Sequence, residues 1–180
     1  MWKDMALGLF ALGLLVASNL NVCCKVSVDG RELEGCYAPA EVEQGVEAAD
    51  AAAEEILLYN GRTAAAERRY TLSLRAPAGR EKQVADALLR ATEGVAAVSG
   101  VYVDGTRLGV VDDEEKLRER LDNFIFMQQP TMAVRSLLNG NLSIRPFYSR
   151  SGNQVSCDDM VLLITGKAHV MYMDENGKFV

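Results

Sequence analysis

This sequence is poor in the residues that most enzymes and nucleic-acid binders rely on. One histidine, His169, occurs in 180 residues. A serine–histidine or cysteine–histidine mechanism would have to use it as the base, and no nucleophile motif accompanies it. G-x-S-x-G, H-E-x-x-H, the Walker A loop and G-x-G-x-x-G are all absent. Basic charge is short as well: 19 Lys and Arg face 25 Asp and Glu, a net charge of −6. Binding a phosphate backbone needs a basic face, so nucleic acid is excluded as a partner class. The adjacent pair Arg68-Arg69 follows Glu67 and reads as a solvated edge. The four cysteines contain no C-x-x-C pair, which argues against a zinc site. Beyond Val22 no apolar run approaches the ~20 residues that a spanning helix needs.

What is present begins at the N-terminus. "MALGLFALGLLVA", from Met5 to Ala17, is uncharged and apolar, and has the length of a signal-peptide core. Carried on to Val22 it nears spanning length, weakened by Ser18, Asn19 and Asn21. Lys3 is offset by Asp4, and no A-x-A cleavage site follows. Residues 1–21 therefore read as a hydrophobic helix that is either a signal peptide or a membrane anchor. A buried core helix and a lipidated Cys23 are the alternatives, although lipoprotein signals want a small residue where Val22 stands. The remaining chain would lie on the extracytoplasmic side of the cell membrane, or be secreted.

Cysteines suit that compartment. Asp-Gly between alternating apolar residues is a strong hairpin signal, because a type I′ turn needs positive φ at both central positions. With such a turn at Asp29-Gly30, Val28 faces Arg31, Val26 faces Leu33, and Cys23 faces Cys36. That register offers a Cys23–Cys36 disulfide and sends Cys24 to the opposite face. Free, half-buried thiols are the alternative.

Further along, Pro39 opens a helix with Val42, Val46, Ala49, Ala53, Ile56 and Leu57 at helical spacing and carboxylates on the wet side. Asn60-Gly61 signals a turn. "YTLSLRA" alternates Tyr70, Leu72, Leu74 and Ala76 against Thr71, Ser73 and Arg75, as expected of a strand with one wet face. Val84, Leu88, Ala91 and Val95 mark a second helix. The order then restarts. Gly100–Val103 and Thr106–Val111 form a hairpin around Asp104-Gly105; Asp112 caps a helix carrying Leu117, Leu121, Phe124 and Ile125. Two strand-like stretches, a Ser156-capped helix over Cys157–Ile164 and a last strand, "KAHVMYM", follow. The two Asp-Gly turns lie 75 positions apart, from Asp29 to Asp104, and five of eight positions from Val26 match those from Val101. The expected fold is α+β: tandem duplicated hairpin–helix–strand–helix units with antiparallel sheets, after an N-terminal hydrophobic helix. The units are placed at 22–98 and 99–180.

The remaining polar features have plain accounts. His169 sits in an alternating strand without metal-ligand partners nearby. "DDEE" is a helix start, and "DENGK" lacks the spacing of a calcium loop. Asn141-Leu142-Ser143 is a glycosylation sequon, relevant in a eukaryotic secretory pathway alone. No catalytic residue, metal site or cofactor is assigned.

The apolar start, "VSVDGRELEGCYAPAEVEQGVEAADAAAEEIL", "YTLSL" and "VYVDGTRLGVVDDEEKLRERLDNFI", taken together, resemble the membrane-proximal region of Gram-positive, clostridia-like cell-wall proteins. "SIRPFY" followed by "VSCDDMVLLITG" is similar to the segment that leads into their LysM module. In that family this region often precedes a lysostaphin/LytM-type zinc peptidase domain that cuts peptidoglycan crosslinks. The resemblance covers most of residues 1–173. It implies an envelope setting and carries over no catalytic residue, because the family's H-x-x-x-D and H-x-H zinc motifs and a complete LysM module are absent.

The leading expectation is thus a non-enzymatic, membrane-anchored or secreted cell-envelope protein, a spacer or interaction module near peptidoglycan. Its partners would be the membrane, through the N-terminal segment, and cell-wall or envelope proteins. One alternative is a fragment or non-catalytic part of a peptidoglycan-cleaving zinc metallopeptidase. Another is a secreted adaptor that binds protein through a sheet edge, offered by the last strand and the Asn176-Gly177 turn.

Overall fold

The computed structural model describes residues 20–58 and 63–180. The N-terminal hydrophobic helix, apart from its last two positions, and the Asn60-Gly61 turn lie outside the described residues. Among those described, the chain is α+β, with four helices and antiparallel sheets. None of these helices is long and apolar enough to cross a membrane. Contacts divide the chain between Glu93 and Gly94. A boundary at 98–99 would cut a strand, so the second unit starts earlier than expected.

The first unit begins with the hairpin of β1 (Asn21–Val28) and β2 (Arg31–Glu32). Helix α1 (Pro39–Leu57), strand β3 (Ala66–Ser73) and helix α2 (Glu81–Ala91) follow. The sheet order is β2-β1-β3, so the first strand lies in the centre. Period-2 alternation puts Cys24, Val26 and Val28 on its inner face, where they are buried with Tyr37. Pro39 occupies the first turn of α1, where its missing N–H leaves no bond unmade. The two helices lie close together. A Cβ at Gly45 would meet the Glu81 carbonyl oxygen at 2.6 Å and Val84 Cβ at 2.7 Å. Glu41, expected on the wet face of α1, instead caps α2: its Oε2 accepts from the Glu81 N–H at 2.8 Å. Helix α2 stops at Ala91, four residues before the Val95 that was assigned to it. Thr92 Oγ1 donates to the Leu88 carbonyl at 2.7 Å, and Gly94 turns the chain at φ 82°.

Strand β3 departs from expectation more sharply. It starts at Ala66 and takes in Arg68 and Arg69. Its apolar face is left uncovered by the described residues, because α1 and α2 pack chiefly on β1. Leu72 is 69% exposed, and Tyr70 and Leu74 are exposed beside it, so both faces of this strand are open.

The second unit contains β4 (Val95–Val103), β5 (Thr106–Val111), α3 (Glu114–Met127), β6 (Arg135–Asn139), β7 (Leu142–Arg150), α4 (Cys157–Lys167) and β8 (His169–Met173). Its main sheet has the order β5-β4-β7, again with the first hairpin strand central. A two-stranded sheet joins β6 to β8. Val101, Val103 and Val111 meet Leu117 and Leu121 of α3 and Met160, Val161 and Ile164 of α4 in one core. The cap of α3 is Asp113, one residue later than expected: its Oδ1 accepts from the Lys116 N–H at 2.9 Å. Ser156 caps α4, accepting from the Asp159 N–H at 3.1 Å. Asn139-Gly140 carries the chain between the two sheets. Glycine is needed there for space, since a Cβ would lie 2.9 Å from that of Ala168.

Candidate functional site

Both Asp-Gly pairs adopt the backbone that a two-residue type I′ hairpin demands. Asp29 and Gly30 have φ of 50° and 72°; Asp104 and Gly105 have 49° and 79°. Val28 pairs with Arg31, and Val103 with Thr106. Added side chains at Gly30 and Gly105 would meet nothing within 4 Å, so these glycines serve backbone conformation and not close packing. The aspartates differ. Asp104 Oδ1 accepts from the Asn141 N–H at 2.8 Å, while its own N–H donates to the Asn141 carbonyl at 3.0 Å. It thereby ties the β4–β5 turn to the start of β7. Asp29 has no such tether among the described residues.

Cys23 and Cys36 are joined as a disulfide, with Cα atoms 5.5 Å apart. The register that brings them together is not the regular one. Val26 still accepts from Leu33 N–H, but Cys24 pairs with Tyr37. Two extra residues between these points, with Gly35 at φ 100°, move Cys36 out of direct opposition to Cys23 and into a diagonal position. Cys24 and Cys157 are free thiols. Cys24 points inward, and burial pushes its thiol above the ordinary range against the opposing pull of the Arg68 charge and a backbone hydrogen bond at Arg69.

His169 joins no group of potential metal ligands among the described residues. His169 is exposed, across the ladder from Asn139. Asp174 Oδ1 accepts from the backbone N–H of Asn176 and of Lys178, both at 2.9 Å, and organises the last turn. Past that turn Phe179 bridges to Met173, and the Val180 N–H donates to Tyr172. Phe179 and Val180 thus cover the Tyr172–Met173 end of the edge expected after β8, and among the described residues no strand pairs along the rest of it. No group of three potential metal ligands occurs among the described residues. A groove of about 260 Å³ opens between α3 and strands β6 and β7. Its walls are Leu117, Leu121, Ile125, Leu138 and Ile144, and Arg118 at its rim is paired with Glu114 at 2.8 Å. Asp122 and Ser136 also line it.

The face of the second main sheet that looks away from the helices has a different character. Alternation sends Val98, Gly100 and Tyr102 of β4 to this side. The ladders set Phe147 opposite Val98, Arg145 and Val110 opposite Gly100, and Arg107 opposite Tyr102. The Arg107 guanidinium lies 4.9 Å from the Phe147 ring centre, and that of Arg145 lies 5.6 Å from the Tyr102 ring. Gly100 makes room: a Cβ there would come within 3.1 Å of the Tyr102 ring. Two rings therefore rest on the sheet, each beside a cation. Neither arginine has a carboxylate partner among the described residues.

The matching face of the first unit carries Cys23, Lys25 and Ser27, and there Lys25 is neutralised by an ion pair with Glu32. That contact holds the Glu32 carboxyl below its usual range. The aromatic–cationic face suits stacking on flat or apolar ring surfaces while binding anionic groups. Sequence reasoning passed over it. The available signals were Tyr102, where the first hairpin has Ser27, and the Arg145/Phe147 alternation; the β4–β7 pairing that joins them is a long-range event. Comparison with protein-family models, with curated proteins and with solved structures finds no match to this chain.

Proposed function

We propose that this chain is a non-enzymatic cell-envelope protein, held at the extracytoplasmic side of the membrane by its N-terminal apolar run and acting as an interaction module near peptidoglycan. The observation that carries this reading is the Tyr102–Phe147 face with its two guanidinium groups, which have no carboxylate partner among the described residues. Sugar rings offer apolar faces to aromatic side chains, and peptidoglycan stem peptides offer carboxylates to arginine. The Cys23–Cys36 disulfide supports an oxidising compartment. The two units, each a sheet with a central hairpin strand and an Asp-Gly turn, support descent from one duplicated element. The resemblance to clostridia-like cell-wall proteins supports the same setting.

The test is co-sedimentation with purified, insoluble peptidoglycan. The full chain in detergent micelles should pellet with it, and Arg107→Ala with Arg145→Ala should weaken this about tenfold, the loss of two modest charge-assisted contacts. Equal retention of both proteins would overturn the site, and no retention of either would overturn the partner class. The resemblance also favours a second reading, as the non-catalytic part of a longer zinc peptidase. Coding sequence continuing past Val180 into an H-x-H motif would establish it.

A further inference from the structure

The first sheet extends past its helices at one end. Gly45 of α1 meets Glu81 and Val84 of α2, and Glu41 caps Glu81, so both helices start at the same end of the unit. The far end of α2, at Ala87 and Ala91, lies instead beside the Asp29 turn. Beyond the helix starts, the inner face of the sheet runs on without cover from the described residues. Val22 pairs with Leu72 there, and Tyr70 lies one inward-facing pair nearer the helices, opposite Cys24. Leu20 and Leu74 flank the ladder, and all five side chains are exposed, Val22 by 50% and Leu72 by 69%. Contiguous exposed apolar side chains of this kind mark a contact surface.

Chain continuity says what meets it. Leu20 is separated from the apolar run Met5–Ala17 by Ser18 and Asn19 alone. The three steps from Ala17 to Leu20 span at most ~11 Å. Wherever that run enters a bilayer, this end of the sheet is held at the bilayer's surface. Composition agrees: leucines and a valine make the apolar part, Tyr70 supplies an amphipathic ring, and Arg75 and Arg80 stand on the adjoining loop. Arg80 is shared with Glu41 at 3.8 Å, so the apolar contact leads and charge is secondary.

We propose that Leu20, Val22, Tyr70, Leu72 and Leu74 form a membrane-seating surface that rests in the interfacial layer of the bilayer and orients the first unit against it. This rests on the reading of residues 5–17 as a membrane anchor, and the experiment separates the two. The full chain is reconstituted in phosphatidylcholine–phosphatidylglycerol vesicles containing lipids brominated near the headgroup end of the acyl chain. Native Trp2 reports on the anchor. In a Trp2→Phe background, Leu72→Trp or Leu74→Trp reports on the surface, and Arg31→Trp at the opposite end is the control. Leu72 and Leu74 are exposed, so tryptophan fits at either without repacking. Seating predicts loss of emission for Trp2 and for the tryptophans at 72 and 74, and none at 31. Quenching of Trp2 with none at 72 or 74 overturns the seating surface and leaves the anchor standing. That outcome also covers a second copy, or the chain's own residues 5–17, lying on the sheet in place of lipid. An unquenched Trp2 overturns both.

Discussion

Replacing Gly45 by alanine separates two effects that usually point the same way. In an open helix interior the change stabilises by about 0.8–1 kcal/mol, since glycine loses more backbone entropy on folding. At Gly45 the new methyl would lie 2.6 Å from the Glu81 carbonyl oxygen and 2.7 Å from Val84 Cβ. Comfortable carbon contacts need ~3.5–4.0 Å, so α1 and α2 would have to part by roughly 1 Å. They are not free to do so, because the Glu41–Glu81 hydrogen bond ties their first turns at 2.8 Å. Overpacking of this kind costs ~1–3 kcal/mol, which cancels or outweighs the propensity gain and leaves a net loss of about 0–2 kcal/mol. Gly166 supplies the control. It lies in the last turn of α4 with nothing within 4 Å of an added Cβ. Gly166→Ala should stabilise by about 0.5 kcal/mol, the lower end for a helix terminus. Urea unfolding followed by circular dichroism gives both values, and amide exchange assigns each to its unit. Stabilisation by Gly45→Ala of the size seen at Gly166 would refute the close α1–α2 packing.

Three further outcomes follow from other parts of the chain. Cys36→Ser, which opens a disulfide of sequence separation 13, should cost the first unit about 3 kcal/mol and leave amide exchange in the second unchanged; equal loss in both would contradict their separation. Burial raises the Cys24 thiol and, with help from the Glu34 charge, the Tyr37 phenol. The unfolded chain then loses these protons first, from about pH 8.5 for the thiol and 10 for the phenol. It binds fewer protons than the native state there, so stability falls as pH rises through this window, and Cys24→Ala should remove the lower part of the fall. An unchanged profile in that variant would discard the assignment. Asp104→Ala should destabilise by about 1 kcal/mol more than Asp29→Ala, because both lose a left-handed turn residue but only the first loses the bond to Asn141; equal denaturation midpoint shifts would dismiss the tether.

What was legible in the sequence was what neighbours along the chain decide. Asp29-Gly30 and Asp104-Gly105 need positive φ whatever surrounds them, so their hairpins were readable directly. Pro39 and Ser156 mark helix starts through bonds within a few residues, and the spacing of Val42, Ala49 and Ala53 chose the buried side of α1. Readings failed where a distant contact outweighed a local pattern. Tyr70, Leu72 and Leu74 alternate like a half-buried strand, yet whether a helix covers them depends on where α1 and α2 come to lie, which is on β1. Glu41 looked solvated because its partner, Glu81, is forty positions away. Cys23 met Cys36 through a bulge that regular pairing does not contain. The rings and guanidinium groups of the second sheet became one face through β4–β7 pairing across a helix and two strands. Turns and helix faces are local free-energy choices, which sequence spacing records. Cover, register and convergence of side chains are settled by packing between segments far apart in sequence, and those belonged to the tertiary structure alone.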